Sequence, residues 1–575
     1  MTTALESDAA VSESGAAVGK PERETAADRR AQLNLVELAP AVAERFGVCR
    51  RPLIMQSTDL DTGHTKYVGA PCKSTMECVC PACAACARAL RIHQCREGWH
   101  IEEEPVDEKH EPTERQVELF LARAAMVGEY DKAQDSGDTE AMDGIRDVVA
   151  DLDAELRETG IRGRLPVLGM ESKPARKRST SRRQEAPDLP RKKVERTTVG
   201  RVYAGKYRPS MFITLTLPSY GKVYNGDHPD AGAPIDPDSY DYRQAARDII
   251  HFPRLFDRFI QNYRRATGRD IQYFATVEPQ KRGAPHAHMA VRGSDARELI
   301  RQVDAATYHQ VWWPHFDHEV YTSGHLPNWS HPAGRFVDPN QTDPETGEPV
   351  PVPTWDEVMD VMDEMDDLEP AHVIRFGKQI DIKGILGGTE EAGRHIGYLT
   401  KYLTKSISEV IDTDSQRVAD HYDRLHEELQ RTPCSPSCGV WFRYGVIPKG
   451  ASAKTVPGVC KGKAHRRETL GLRGRRVLVS RKWTGKNLTD HKADRMEFVR
   501  QRLAEAGISM QEIDRMKIVP AAPGDPDAPP REHLIMAMVT EKLRRQGEYD
   551  RARMVDPPGA QEYSSIEDPD EGESR

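Results

Sequence analysis

The stretch APHAHMAVRG, residues 284–293, alternates like a β-strand and carries two histidines on one of its faces. Successive side chains of a strand point to opposite faces. His286 and His288 therefore project together, away from the apolar Ala287 and Met289. A half-buried strand with a histidine-rich polar face fits this pattern, and so does a strand that presents a pair of metal ligands. The sequence on either side has to separate these two interpretations.

A carboxylate precedes the two histidines at a short distance along the chain. Glu278 ends the preceding predicted strand, and the connection PQKRGAP leads from it directly to His286. If the two strands form a hairpin, the carboxylate and both imidazoles converge at its mouth. Two imidazoles and a carboxylate with open coordination positions suit a divalent ion that also holds a substrate oxygen. We therefore predict a catalytic Mg²⁺ or Mn²⁺ site at Glu278, His286 and His288, with Lys281 and Arg282 as phosphate contacts.

The composition indicates a chain of several globular parts joined by polar segments. Its 575 residues exceed one ordinary core, and 30% of them are charged. The sequence has no apolar stretch long enough to span a bilayer, and its N-terminus lacks the features of a secretory signal. We expect a cytoplasmic protein without a membrane partner. No internal repeat and no G-x(4)-G-K-[ST] phosphate loop occur, so no built-in ATP motor is expected.

The net charge of −9 conceals two basic runs. Residues 162–208 are rich in Lys and Arg, and a second run, KGKAHRRETLGLRGRRVLVSRKWTGK, spans residues 461–486. Such runs suit a polyanionic partner, with nucleic acid first, although residues 171–196 are equally well explained as a solvated linker. The second run interleaves its charges with apolar residues, and it supplies further predicted DNA contacts at Arg475, Arg476, Arg481 and Lys482.

The stretch GYLTKYLTKS, residues 397–406, predicts a helix with two tyrosines on one face. Tyr398 and Tyr402 lie about 40° apart around such a helix, and Lys401 and Lys405 lie beside them. Leucines and isoleucines occupy the nearly opposite face, whereas tyrosines that fill a core would share that face. Two phenols one turn apart can act as paired nucleophiles toward phosphorus. The lysines would favour the phenolate and offset charge on the phosphoryl oxygens.

All ten cysteines fall in two groups. In a reducing cytoplasm, clustered cysteines bind metal more often than they form disulfides. The first group predicts a structural Zn²⁺ site held by Cys49, Cys72, Cys80 and Cys83. Its ligand set stays open, because further candidates lie close by at Cys78, Cys86, His93 and Cys95. The second group predicts another zinc site, with ordinary loop cysteines as the alternative, at Cys434, Cys438, Cys460 and His465.

Three of these stretches, in chain order, resemble the motifs of the HUH endonucleases: FITLTLP, EPQKRGAPHAHMAVRG and YLTKYLTK. Their order is that of rolling-circle replication initiators, and the Y-x(3)-Y pair is similar to that of bacteriophage gene A-type initiators. PCKSTMECVCPAC, CGVWFRYG and GLRGRRVLVSRKWTGK resemble the replication initiators of actinobacterial plasmids and integrative elements. The resemblance covers residues 45–95 and 199–495, and residues 100–198 look like an insertion.

The resemblance implies an α+β fold, in which an HUH nuclease domain has a central antiparallel sheet flanked by helices and carries the histidines on a central strand. It implies that Glu278, His286 and His288 bind the metal and that Tyr398 and Tyr402 are the nucleophiles. The implied function is to nick one strand at a plasmid or integrative-element origin through a phosphotyrosyl link that frees a 3′-OH. The implied partners are origin DNA, single-stranded at the nick, and a host helicase and polymerase. A two-tyrosine HUH transposase is the alternative, as is a non-catalytic DNA-binding regulator on the same scaffold.

The order of these features predicts the organisation of the chain. We expect a disordered N-terminus (1–32), a Cys-rich zinc-binding region (45–100), an acidic helical insertion (101–160), a basic disordered linker (161–198), an endonuclease domain (199–410, with an insertion at 315–370), a Cys/His and basic DNA-binding region (430–500), a helical extension (501–555) and a disordered acidic tail (556–575). Within the endonuclease domain we expect strands at 211–217, 270–278, 286–292 and 372–382, and helices at 243–267 and 389–409.

Overall fold

The computed structural model describes residues 34–101, 111–161, 186–190, 208–322, 324–365, 367–401, 414–472, 476–505, 516–522 and 524–555, with a few single positions between 105 and 205. Its helices are α1 (Leu35–Arg45), α2 (Pro81–His100), α3 (Glu114–Ser136), α4 (Thr139–Glu158), α5 (Tyr242–Thr267), α6 (Arg297–Ala306), α7 (Trp355–Glu364), α8 (Glu390–Lys401), α9 (Gln416–Arg431), α10 (Leu488–Glu505) and α11 (Arg531–Val555). Its strands are β1 (Leu53–Asp59), β2 (Thr65–Ala70), β3 (Arg208–Thr216), β4 (Tyr273–Pro279), β5 (Pro285–Arg292), β6 (Tyr308–Val311), β7 (Asn328–Ser330), β8 (Arg335–Thr342), β9 (Pro349–Pro351), β10 (His372–Arg375), β11 (Ile380–Gly387), β12 (Val477–Val479) and β13 (Met516–Pro520). These strands pair antiparallel, so the predicted mixed α+β class is confirmed. Within the same ranges, no helix has both the length and the apolar character needed to cross a membrane.

The chain divides into a terminal unit, Met1–Ala85 with Val499–Arg575, and a central unit, Cys86–Phe498. In the terminal unit β1 pairs with both β2 and β13, so the two ends of the chain share one sheet. Helix α1 packs on α11, and Ala43 of α1 and Ile535 of α11 are buried in one hydrophobic cluster. Sequence reasoning treated these segments as a Cys-rich region and a separate helical extension. The pairing of β13 with β1 joins residues 516–520 to the first part of the Cys-rich region, whereas residues 86–100 of that region belong to the central unit.

The central unit is built on a five-stranded antiparallel sheet in the order β11-β3-β5-β4-β12. Strand β5 lies in the middle, because it pairs with β3 on one side and with β4 on the other. The stretch with the two histidines is therefore a central strand. Its burial follows the alternation of the sequence, since Ala287, Met289 and Val291 point into the main hydrophobic core.

The two faces of this sheet are covered differently. On the core face, α5 presents an aromatic stripe, including Phe252, Phe256 and Phe259, that is fully buried. Asp241 caps the start of α5 and Gly268, with φ +68°, ends it in the left-handed region. On the second face, one part of the sheet is apolar and packs against α2, α8 and the segment after β12. We call this cluster the apolar patch, and its buried residues are Cys95, Trp99, Phe212, Phe274, Ala290, Ile385, Ala392, Ile396, Leu399 and Trp483.

The packing of α2 on the second face requires a glycine in the helix. A Cβ atom at Gly98 would lie 2.5 Å from the carbonyl oxygen of Trp483 and closer still to its indole ring. We expect Gly98→Ala to lower the free energy of unfolding of the central unit by about 1–3 kcal/mol, the usual cost of overpacking. Gly128→Ala in α3, where a Cβ meets nothing within 4 Å, is the control and should stabilise slightly. Thermal denaturation of both variants measures the difference, and equal midpoints would contradict this close packing.

One predicted strand is wrong. Residues 372–382 form two strands, β10 and β11, because the chain turns between them, where the Gly377 N–H donates to the Thr216 carbonyl at 2.7 Å. Strand β10 pairs with β6 in a separate two-stranded sheet, and β11 pairs with β3 in the central sheet. The alternation that suggested one strand continues through the turn, so it could not reveal the break.

The stretch expected as an insertion, residues 315–370, is ordered over the part that the structure describes. Strands β7, β8 and β9 form a three-stranded sheet, and α7 follows them. Phe336 of β8 and Val352, the residue after β9, are buried in a small cluster with Phe442. The insertion and the CGVWFRYG segment therefore share a small hydrophobic cluster, whereas Phe316 and Trp355 are buried in the main core.

Candidate active site

The β4–β5 hairpin brings together the three predicted ligands of the divalent ion. Glu278 of β4 lies directly opposite His286 of β5, and His288 lies opposite Thr276 and Thr214 on its two neighbouring strands. All five side chains are on the second face, beyond its apolar patch. One potential ligand atom from each of the carboxylate and the two imidazoles lies within 4.8 Å of the others. The convergence follows from the register of the hairpin, because directly opposed residues have neighbouring Cβ atoms.

The turn of this hairpin is held from outside by α9 and by the end of β3. His421 Nε2 lies 3.2 Å from the Arg282 carbonyl oxygen, and the Tyr422 hydroxyl donates to the carbonyl of Lys281. The guanidinium of Arg282 donates to the carbonyls of Leu217, at 2.8 Å, and Pro218, at 2.6 Å. These contacts fix the turn that leads into His286, so the ligand geometry is set before any ion binds.

Burial sets the protonation of the cluster. It lowers the pKa of His286 to about 4, with the charge of Arg282 adding to the effect, and lowers that of His288 to about 3. Burial also raises the pKa of Glu278 to about 7, which the nearby Arg476 opposes. At neutral pH both imidazoles therefore keep unprotonated nitrogens, the form in which histidine binds metal ions.

The polar atoms of the cluster fit a bound cation. Glu278 Oε1 and His286 Nδ1 are buried, and neither has a hydrogen-bond partner among the described residues. His288 Nδ1 lies 3.0 Å from the Thr214 hydroxyl, a contact that can fix the ring and direct Nε2 into the cluster. Buried polar groups are nearly always paired, so unpaired acceptors around one point suit a divalent ion.

Tyr398 on α8 reaches the same point from above the sheet. Its hydroxyl lies 3.3 Å from His288 Nε2, and the two rings meet edge to face with centroids 4.8 Å apart. Ile396 and Leu399 of the same helix are buried in the apolar patch, whereas Tyr398 keeps 44% of its surface exposed. Over Glu390–Lys401, the part of this helix that the structure describes, the division between the buried and exposed faces is the one predicted from the wheel. The apolar side of α8 anchors the helix and leaves the phenol beside the ligand cluster.

Further residues around the tyrosine were not found from the sequence. Phe212 stacks on the ring of His288, with centroids 5.7 Å apart, and meets His395 edge to face at 4.8 Å. Arg88 of α2 donates from Nε to the Thr400 carbonyl, at 3.2 Å, near the end of α8. Phe212 lies in the quoted FITLTLP stretch, where a strand in register with β5 could have suggested its place. The sequence gives no signal for Arg88, which comes from a distant helix.

Of the other predicted site residues, some lie within the described part of the chain and some outside it. Tyr402, Lys405 and Arg475 lie outside the described residues, and Lys401 is the exposed last residue of α8. All three guanidinium nitrogens of Arg282 already donate to the protein, so this residue positions the hairpin. Among the remaining predicted DNA contacts, three lie around β12 and one is exposed in the hairpin turn: Arg476, Arg481, Lys482 and Lys281. Their contact with DNA stays a prediction.

The first cysteine group converges in the terminal unit. The sulfur atoms of Cys49, Cys72, Cys80 and Cys83 lie within 4.8 Å of one another. Cys49 and Cys80 Sγ are 3.8 Å apart, close to the separation of about 3.8 Å between sulfurs bound to one tetrahedral zinc ion. Over the described residues, the group of converging ligand atoms does not include the alternatives, which are Cys78, Cys86, His93 and Cys95. Zinc at this cluster stays a prediction.

The second cysteine group converges within the central unit. Cys434 and Cys460 Sγ are 4.0 Å apart, and His465 Nε2 lies 3.4 Å from Cys438 Sγ. His465 Nδ1 lies 2.8 Å from the Leu429 carbonyl oxygen and must donate to it, so in the neutral ring Nε2 has the lone pair and lies toward the sulfurs. This tautomer is the one that a metal-binding histidine adopts.

Comparison with known protein families identifies the class of the chain as that of replication initiator proteins. The family model RepSA, described as the replication initiator protein of pSAM2, matches residues 36–541. The chain belongs to this family. The matched range includes both cysteine clusters, the β4–β5 hairpin and α8.

A replication initiator protein of Streptomyces ambofaciens is 25% identical to the chain over 288 residues, which covers 40% of this chain and 52% of the relative. The chain therefore spans about half the length of the curated relative it matches. No solved structure matches the chain. Family membership leaves the reaction itself to be inferred from the geometry of the site.

Proposed function

We propose that this protein is a metal-dependent, site-specific DNA endonuclease and strand transferase that starts rolling-circle replication at a plasmid or integrative-element origin. The observation that supports this proposal most directly is the position of Tyr398, whose hydroxyl lies 3.3 Å from a nitrogen of His288. A nucleophile and a ligand cluster on one polar face of a sheet are the parts that such a reaction needs. A non-catalytic regulator would need neither of them.

Glu278, His286 and His288 would hold Mg²⁺ or Mn²⁺, which would polarise the scissile phosphate and offset its charge when bound. The Tyr398 oxygen forms a bond to phosphorus while the bond from phosphorus to the 3′ oxygen breaks. The phenol proton passes to solvent, and the 3′ oxygen takes up a proton and leaves as a 3′-OH. The DNA strand then remains attached to the protein through a 5′-phosphotyrosine.

A second strand transfer is needed to release the replicated strand, and we propose that Tyr402 performs it. Lys401 and Lys405 would offset the charge of the phosphoryl oxygens during both steps. Origin DNA, single-stranded at the nick, would be held by basic residues around β12, with Arg481 and Lys482 foremost. Because the sequence has no phosphate loop, we propose that a host helicase unwinds the duplex and that a host polymerase extends the 3′-OH.

We also propose that the two cysteine clusters hold structural Zn²⁺. Each has four protein ligands and so leaves no coordination position for a substrate. Thiolates prefer zinc to Mg²⁺, whereas the Glu278 cluster, with no sulfur ligand, suits the harder ions. The ligand types of the three sites would therefore determine which ion each of them binds.

The test of this function is whether the protein becomes covalently attached to DNA. The full chain is incubated with Mg²⁺ or Mn²⁺ and with labelled single-stranded oligonucleotides that tile the DNA flanking its gene. We expect one oligonucleotide to give a free 3′-OH fragment and a protein band carrying the downstream label on a denaturing gel. Chelation should prevent the adduct and leave binding intact. Tight, sequence-specific binding without an adduct at any divalent ion would instead support the regulator.

A further inference from the structure

A third group of metal-binding side chains lies in the central unit, apart from the proposed nuclease site and both cysteine clusters. His93 and Glu97 are one turn apart on α2, and His491 is in the first turn of α10. Glu97 Oε2 lies 3.5 Å from His93 Nδ1 and 3.2 Å from His491 Nδ1. Two ligand atoms bound to one tetrahedral zinc ion at 2.0–2.1 Å are about 3.4 Å apart. The distances from Glu97 Oε2 to the two imidazole nitrogens are therefore close to those between ligand atoms of one zinc ion.

The contacts of His491 leave its Nδ1 available to an ion. Thr484 Oγ1 lies 2.9 Å from His491 Nε2, and the same hydroxyl donates its proton to the Lys486 carbonyl at 3.3 Å. When the hydroxyl gives its proton to that carbonyl, it accepts from His491, so Nε2 carries the ring proton and Nδ1 keeps a lone pair for an ion. Nδ1 is buried and has no hydrogen-bond partner among the described residues.

This arrangement places two acceptors against each other. His491, a residue with 0% of its surface exposed, has its Nδ1 3.2 Å from Glu97 Oε2, with no hydrogen bond between the two atoms. Two acceptors at this distance repel unless a cation lies between them. The ammonium of Lys486 is near, but it contacts the other oxygen, Glu97 Oε1, at 2.9 Å.

We propose that His93, Glu97 and His491 bind a zinc ion, with a water molecule in the fourth position. The ion would join α2 to α10. The segment between them carries Trp483, whose indole N–H donates to the Gln94 carbonyl at 3.2 Å. The site would thus have a structural role, which is to hold α2 on the second face of the sheet. It is independent of the proposed DNA cleavage.

The test measures zinc rather than activity. The full chain carries His286→Ala and His288→Ala, so that the nuclease cluster does not contribute, and it is dialysed to equilibrium against buffered Zn²⁺. We expect His93→Asn, Glu97→Gln and His491→Asn each to lower the zinc content by one ion per chain. His331→Asn, at an exposed histidine elsewhere in the central unit, should leave the content unchanged.

The variant Lys486→Met distinguishes between two interpretations of this cluster, a metal site and a network of ion pairs. Removing the ammonium that competes for Glu97 should raise the zinc affinity of the site by about tenfold, because like charges near an ion oppose its binding. His93 has 52% of its side chain exposed, so His93→Asn should not disturb folding, and circular dichroism checks this. Unchanged zinc content in His93→Asn, or weaker zinc binding in Lys486→Met, would overturn the proposal.

Discussion

Replacing His286 and His288 together with alanine is expected to slow DNA cleavage by at least about 1000-fold, which corresponds to about 4 kcal/mol of lost transition-state stabilisation. The reason is that Glu278 alone cannot hold a divalent ion at the point that Tyr398 faces, so charge on the phosphoryl oxygens is no longer offset. Binding of the origin oligonucleotide should change little, since the contacts proposed for DNA lie on other residues. Single-turnover cleavage with excess protein measures the rate, and anisotropy of a labelled oligonucleotide measures the binding.

A matched control for this pair is His331→Ala, which removes an imidazole from the exposed turn after β7. It should cleave at the unmodified rate. Adding Mn²⁺ back to chelated wild-type protein should restore cleavage, whereas the double variant should not respond to it. If cleavage continues at an unchanged rate after both alanine substitutions and chelation, the proposed metal site is wrong. The tyrosine would then need another activating group.

The convergence of Glu278, His286 and His288 could be predicted because two local rules determine it. The alternation of β5 assigns His286 and His288 to one face, and the short PQKRGAP connection makes β4 and β5 a hairpin, so Glu278 falls opposite His286. The face of α8 that bears Tyr398 followed in the same way from the helical period. Each of these inferences uses residues that are close together in the chain.

Features that join distant segments could not be predicted. The pairing of β1 with β13 depends on which unpaired sheet edge the short strand β13 meets. The residues of β1 and β13 do not indicate that they pair with each other. Trp99 and Trp483 pack edge to face on the second face of the sheet, with centroids 6.3 Å apart, although no periodic pattern relates α2 to the segment after β12. His93 illustrates the consequence. Its neighbours in sequence suggested the first zinc cluster, whereas the helix turns it toward His491 instead.

The two tyrosines are expected to serve as alternating nucleophiles, so Tyr398→Phe and Tyr402→Phe should have separable effects. Each change keeps the ring and removes only the attacking oxygen. Each single variant should still cut an oligonucleotide, because an i, i+4 spacing on a helix predicts phenols one turn apart, with a rise of about 6 Å. Modest movement would then bring either phenol to the same phosphate. Each should lose efficient multi-round replication, since one tyrosine remains esterified while a second closes the circle.

The double variant Tyr398→Phe, Tyr402→Phe should still bind DNA but neither cut it nor become attached to it. Mass spectrometry of the peptide that carries the DNA adduct identifies the nucleophile in each single variant, and we expect the adduct on Tyr402 when Tyr398 is replaced. Tyr308→Phe, on β6, removes a phenol oxygen outside the site and should cut normally. Because Tyr398 lies 3.3 Å from His288 Nε2, it should form the adduct in the unmodified protein. Adducts found on one residue alone, together with normal plasmid replication when the other is phenylalanine, would reduce the mechanism to a single nucleophile.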